Sequence, residues 1–285
     1  MKNIPSLSLI KVKDGISSIV SNVLVAFLSI TCIFPMVWLL YSSLKTERNF
    51  ANDILGVPTE FRFENYPQAF TEGRIGSYMM NSLFVTVITV IISIILSFAI
   101  GYCLSRFKFP GRTFLYYLFL SGMLVPIYAL LVPIFIEFKV FGILNKRITL
   151  ILPYIAFALP VSIFLIESYV KGIPIELEEA AFVDGSSQVF TMFVIIMPVC
   201  SPILATCAIL SFLNTWNEFP LALVLISSTR LKTIPIGLTN FVGTYSTNYT
   251  LMMAALVIAT LPVITIYLLF YNNIMRGMVA GAVKG

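Results

Sequence analysis

Six apolar blocks, each about 20 or more residues long, alternate with shorter polar stretches along this chain. They run from about 20 to 44, 78 to 104, 113 to 136, 149 to 169, 201 to 226 and 251 to 272. A helix rises about 1.5 Å per residue, so about 20 residues cross the roughly 30 Å hydrocarbon core of a bilayer. Each block is therefore predicted as a membrane-spanning helix. The second is rich in Ile and Val, which favour strands in soluble proteins, but it far exceeds the usual strand length of about 3–10 residues. The first block is too long for the apolar part of a signal peptide and lacks a small-x-small cleavage pattern, so residues 1–19 are read as a short head before the first span. The fold class that follows is an all-α integral membrane protein with six transmembrane helices.

The polar stretches add detail. The first span closes with Pro35, Trp38, Tyr41 and Lys45. Pro35 is expected to kink it, the aromatic pair to sit at the interface and Lys45 to snorkel to water. The stretch 45–77 is polar and interrupted by Pro58 and Pro67, so little helix is expected there. A tight turn, Ser105-Arg106-Phe107-Lys108-Phe109-Pro110-Gly111-Arg112, carries positive charge between the second and third spans. Pro126, Pro133, Pro153 and Pro160 fall inside the third and fourth spans. Such prolines free backbone carbonyls, which a water-lined pathway satisfies, but prolines are also simply commoner in membrane helices.

Composition agrees with the pattern: 59% of the residues are hydrophobic against about 45–50% in ordinary soluble domains, and only 11% are charged. The net charge of +5 suits anionic lipid headgroups, and nothing in its layout points to nucleic acid. The chain contains no His, which removes the commonest general base and a common metal ligand. Cys32, Cys103, Cys200 and Cys207 lie in or beside apolar blocks without metal-ligand spacing and are read as small lipophilic side chains. Basic residues divide evenly between the two sides of a six-span topology, so charge alone sets the orientation only weakly.

Against this background the stretch 176–198, ELEEAAFVDGSSQVFTMFVIIMP, stands apart. Pro174 suits a first helical turn, and Glu176, Glu178 and Glu179 lie near the positive end of the helix dipole. Ala180 and Ala181 favour helix and let a partner approach closely, Gly185 tolerates the positive φ that ends a helix, and Ser186 or Ser187 can cap the next one. Helix, glycine turn, helix is the local prediction; physics alone leaves open whether this is a docking device or a well-capped solvated loop. Farther on, the fifth span drawn as 201–226 places Asn214, Trp216, Asn217 and Glu218 within the membrane, where an ionisable group costs about 2.5–3.5 kcal/mol unless it faces a cavity or a partner. These four are pathway candidates. A helix ending at Thr215 would instead make Glu218 a wet loop residue.

The spacing Glu179-Ala180-Ala181, three residues, Gly185, nine residues, Ile195, one residue, Met197-Pro198 resembles the EAA loop of bacterial ABC importer permeases. Asp184 beside Gly185, and Pro202 after Pro198, narrow the likeness to carbohydrate-uptake permeases of the maltose permease type. Met197 stands where leucine is usual, a volume-conserving exchange. Phe34-Pro35, Ser43-Leu44-Lys45, Trp216-Asn217-Glu218-Phe219 and the final Gly281-Ala282-Val283-Lys284-Gly285 extend the resemblance over most of the chain; Tyr271 departs from it where glutamine is expected.

The resemblance implies a type I importer permease bundle. Residues 1–19 form a cytoplasmic N-terminal segment, 20–275 the permease domain with the EAA loop at 171–200, and 276–285 a cytoplasmic tail. Glu179, Ala180, Ala181, Asp184, Gly185, Ile195 and Pro198 are implied to couple to an ATPase, with Gly281 and Lys284 as further ATPase contacts. The implied partners are a second homologous permease, two ATPase subunits and an extracytoplasmic sugar-binding protein, in a bacterial cytoplasmic (inner) membrane. No cofactor is expected on this chain: it lacks a G-x-x-x-x-G-K-[ST] loop, so ATP and Mg belong to the ATPase subunits and the permease is not an enzyme. The competing readings are import of a polar non-sugar such as glycerol phosphate, a stand-alone secondary transporter and, least favoured, a membrane-embedded enzyme.

Overall fold

A computed structural model describes residues 7–243 and 248–282, with side chains over 20–243 and 248–270. The described chain is helical: α1 (Leu7–Ser42), α2 (Glu47–Asn52), α3 (Asn65–Thr71), α4 (Ile75–Arg106), α5 (Arg112–Ser121), α6 (Leu131–Val140), α7 (Ile148–Lys171) and α8 (Glu176–Val183). Then follow α9 (Gln188–Phe190), a π-helical segment (Thr191–Ile196), α10 (Met197–Val199), α11 (Ser201–Trp216), α12 (Pro220–Leu225), α13 (Ile234–Leu238) and α14 (Tyr249–Ala282). Among the described residues, four helical stretches are long and apolar enough to cross a membrane: Val20–Ser42, Ile75–Arg106, Ile148–Lys171 and Tyr249–Phe270. Two bent pairs raise the number to six if each counts as one span.

Those bent pairs are where the expected straight spans fail. The third span breaks between Arg112–Leu124 and Ile127–Val140, with a bend of 92°. Val125 is extended at φ −80°, ψ 115°, the backbone region that a following proline favours, and Pro126 has no N–H to continue the ladder. The fifth span begins earlier and stops sooner than drawn. Gln188–Val199 meets Ser201–Trp216 at 79° around Cys200, between Pro198 and Pro202, and the helix ends at Trp216 before Pro220 starts α12.

The chain packs as two units, Met1–Ala69 with Phe241–Ile258, and Phe70–Asn240 with Ala259–Gly285. In the first, the sequence misplaces Lys45. Instead of snorkelling to water, its side chain is fully buried, with Nζ donating to the carbonyls of Asp53 (2.8 Å) and Ile54 (3.1 Å) and lying over the Tyr41 and Phe50 rings. Asn65 Nδ2 donates to the carbonyls of Ser43 and Lys45, and Trp38 and Tyr41 donate to those of Ile54 and Leu55. The end of α1 thus holds the following loop by satisfying its backbone acceptors. Burial lowers the Lys45 pKa from 10.5, and the Asp53 carboxylate opposes that shift.

In the second unit α4 packs chiefly against α7 and then α11. One apolar cluster gathers Phe98, Tyr102, Ile166, Ile196 and Cys207; another gathers Val85, Leu150, Tyr154, Leu221 and Ile236. Gly101 permits the α4–α7 approach: a Cβ there would lie 3.0 Å from Ile166 Cγ2 and 3.2 Å from the Glu167 backbone nitrogen. Helix propensity favours replacing this glycine by roughly 0.5–1 kcal/mol, but a large side chain would meet backbone that cannot step aside. Gly101→Leu is expected to destabilise the protein by about 1–3 kcal/mol. The check is thermal unfolding of the detergent-purified protein, where an unchanged midpoint would contradict this packing.

Candidate functional site

The polar stretch folds as a helix, a left-handed glycine and a capped second helix. Ile175 precedes α8 without a side-chain cap, and Glu176, Glu178 and Glu179 occupy its first turn. Pro174 lies just ahead of that turn rather than in it. At the other end Gly185 has φ +86°, its N–H bonds to the Phe182 carbonyl (3.0 Å), and the Ser186 N–H bonds to that of Ala181 (2.9 Å). This pair of bonds is the Schellman closure that a C-terminal glycine permits. Ser187, not Ser186, caps the next helix by accepting from the Phe190 N–H (3.3 Å).

The two faces of α8 differ. Glu178 and Ala181, three residues apart, are buried, whereas Glu179, Ala180, Asp184 and Gly185 are exposed. Phe182, Val183, Val189 and Phe190 are exposed too, Val183 by 87%. Ile195 is half-buried and Pro198 exposed on the stretch that follows. The helix–turn–helix therefore offers an acidic and apolar surface while being held from beneath. Glu178 Oε1 pairs with Arg106 Nε at 2.5 Å, and its Oε2 accepts from the Tyr102 hydroxyl at 2.6 Å. Removing one partner of such a buried pair costs about 3–5 kcal/mol, because a charge is left without compensation.

The pathway candidates divide. A cavity of about 530 Å³ opens where two helices are interrupted, at the break following Pro126 and at the gap between α11 and α12. Asn214, Asn217 and Glu218 line it with Tyr128, Tyr154 and Phe157. Interrupted helices inside a membrane are tolerated where they line a cavity or are buried in protein. The unpartnered Ser211 hydroxyl is another polar group on this wall.

Trp216 does not line the cavity. It is buried, stacks on Phe212 at 5.5 Å and donates its indole N–H to the Ala259 carbonyl (3.2 Å). Glu218 combines features of the two sequence alternatives. The helix does end before it, yet its carboxylate is not simply wet: it accepts from the N–H groups of Leu221 (2.7 Å) and Ala222 (3.1 Å) and from the Tyr154 hydroxyl. It thereby caps α12 and ties it to α7.

Tyr102 and Tyr154 escaped the sequence reading, and Arg106 entered it only as a charge in the turn, because their partners lie far along the chain. A weak signal existed for Glu178: helical spacing puts it on one face with Ala181, away from Glu179. Among the candidate ATPase contacts, Gly281 lies on α14 and Lys284 lies outside the described residues. Among the described residues no cluster of His, Cys, Asp or Glu is arranged to hold a metal ion.

Residues 93–279 match the family described as "binding-protein-dependent transport system inner membrane component". The chain is 34% identical to the diacetylchitobiose uptake system permease protein of Streptomyces coelicolor, over 93% of this chain and 88% of that protein. It is 32% identical to the sulfoquinovosyl glycerol transport system permease protein of Agrobacterium fabrum, over 98% and 100% respectively. Its fold superposes with a TM-score of 0.82 on a chain from a bacterial ABC transporter involved in importing the acidic polysaccharide alginate, at 23% identity and covering 95% of this chain and 99% of that one. The bent, all-α bundle is thus a type I importer permease fold, and the chain belongs to the binding-protein-dependent transport system inner membrane component family as a non-enzymatic, multi-pass permease subunit of an ABC importer.

Proposed function

We propose that this permease carries a sugar or oligosaccharide across a bacterial cytoplasmic membrane. It does so with a second related permease, two ATPase subunits and an extracytoplasmic binding protein. The observation that carries this reading is the outward face of the α8 turn, where Glu179, Ala180, Asp184 and Val183 are exposed on a helix fixed from below. An acidic rim around apolar side chains suits a basic, partly apolar cleft on an ATPase. Ala181 and Ile195 support the base of this device, Gly185 sets its turn and Pro198 leads from it toward the α11 span. The coupling loop and both chain ends then lie on the cytoplasmic side, with Gly281 and Lys284 adding contacts to the ATPase, which holds ATP and Mg.

In this reading, ATP-driven closure of the ATPase pair displaces α8, and the transmembrane helices exchange inward and outward openings. ATP achieves this only by stabilising one of the two arrangements relative to the other. The cavity beside Asn214, Asn217 and Glu218 forms this subunit's part of the route. Its carboxamides and the aromatic faces of Tyr128 and Phe157 suit a sugar, which presents hydroxyls at its edge and apolar C–H groups on its face. The glycoside substrates named for the two relatives support the same class.

The test is a reconstituted importer with its copurifying binding protein, screened against labelled mono- and oligosaccharides and glycerol phosphate. ATP-dependent uptake of a sugar is expected. Uptake confined to glycerol phosphate would overturn the substrate class, and uptake without the ATPase would overturn the mode of transport.

A further inference from the structure

The two arginines that flank the turn between α4 and α5 reach two different parts of the chain. Arg106, the last residue of α4, pairs with buried Glu178 on α8 at 2.5 Å and donates through its second terminal nitrogen to the Ile173 carbonyl (2.8 Å), in the connection between α7 and α8. Arg112, the first residue of α5, lies 3.9 Å from buried Glu167 in the last turns of α7, and Glu167 also pairs with Lys171. Tyr102, one turn before Arg106, donates to Glu178 and accepts from Gln188 Nε2 (2.7 Å) on α9. The end of α4 therefore holds both arms of the helix–turn–helix, while the covalent route from α7 to α8 passes through the short turn at Gly172 and Ile173.

Buried ion pairs contribute little net stability compared with well-packed apolar replacements, because desolvation offsets most of their attraction. What a directional pair supplies is geometry. With Arg106 and Glu178 only 10% and 5% exposed in their side chains, the pair is shielded from the competing water that weakens a surface ion pair. We infer that Arg106 is a positioning residue that fastens α8 to α4, while Arg112 ties the start of α5 to α7, so that the coupling helix and the end of α4 are displaced as one body. This inference rests on the proposed role of α8 as the coupling helix. It makes the ion pair with α4, rather than the covalent turn from α7, the principal route by which motion leaves α8.

The experiment uses the complete importer with Cys32, Cys103, Cys200 and Cys207 replaced by alanine and spin labels at Leu177→Cys on α8 and Phe109→Cys in the α4–α5 turn. Distances are measured without nucleotide and with a non-hydrolysable ATP analogue. In the otherwise native protein the separation is expected to stay the same in the two states. In the double variant Arg106→Met, Glu178→Leu, which replaces the pair by apolar groups, the complex is expected to assemble and hydrolyse ATP while the separation shifts with nucleotide. Binding-protein stimulation of hydrolysis is expected to fall about tenfold, within the usual range of coupling energies, and Arg106→Lys to recover part of it.

A native separation that changes with nucleotide, a double variant whose separation does not, or a double variant that no longer assembles would each overturn the inference. Glu179→Lys in the same preparation tests the underlying reading separately. If it copurifies with the ATPases and retains wild-type coupling, α8 is not the coupling helix, whatever the label distances show.

Discussion

Glu179→Lys is expected to abolish uptake while leaving the permease folded and inserted. Glu179 is exposed on α8, and among the described residues no ion pair involving it forms within the chain. Reversing its charge therefore removes no internal partner, and surface changes of this kind usually alter stability by no more than about 0.5 kcal/mol. A charge pair desolvated at an interface behaves differently: truncating one partner costs about 2–5 kcal/mol, and reversal adds repulsion. Association with the ATPase should fall by a factor of about 30 or more. Copurification of the ATPase and transport by the same membranes check this, and normal levels of both would refute the docking role. Gly185→Asp should impair transport by another route. No atom obstructs a Cβ there, but φ of +86° disfavours any L side chain by about 1–2 kcal/mol, so the turn rather than the packing is disturbed.

Glu218→Ala is expected to impair transport by at least tenfold, for a reason the cavity lining alone does not reveal. Its carboxylate satisfies two backbone N–H groups at the start of α12 and the Tyr154 hydroxyl. Alanine leaves those groups without an acceptor, at about 1–3 kcal/mol for each buried one, and releases α12 from α7 beside the cavity. Glu218→Gln preserves an acceptor and much of the geometry, so it should retain far more transport than alanine, with ATPase docking intact in both. If the carboxylate instead engages cargo through its charge, glutamine will fail as badly as alanine. Uptake rates of the two variants at matched membrane levels decide between these roles.

Local signals made much of the architecture legible. Apolar blocks identified the bundle, because any segment inside lipid must satisfy its own backbone. Gly185 and a nearby serine marked the shape of the polar stretch, since helix termination and capping involve residues only a few positions apart. Pairings across long stretches of sequence were not legible in that way. Helical spacing sets Glu178 on the face of Ala181, but nothing near it names Arg106 as its partner, and nothing near Lys45 shows that loop carbonyls will replace water around its ammonium. Trp216 illustrates the opposite error: its neighbours in sequence face the cavity, but helical rotation carries its ring to α14. Pro126 was visible as a residue of the third span, but where that helix broke depended on the packing that each broken end found.

The central claim is that the exposed face of α8 docks on an ATPase, and proximity tests it most directly. Val183 is 87% exposed on that face, so Val183→Cys in a background with the four native cysteines replaced by alanine presents one reactive thiol there. Short bifunctional cross-linking of the assembled importer, with and without ATP, should join this position to the ATPase in a nucleotide-dependent yield, and Glu179→Lys should suppress the product. An importer that copurifies intact and transports sugar, yet forms no cross-link from position 183 to the ATPase in either nucleotide state, would contradict the account.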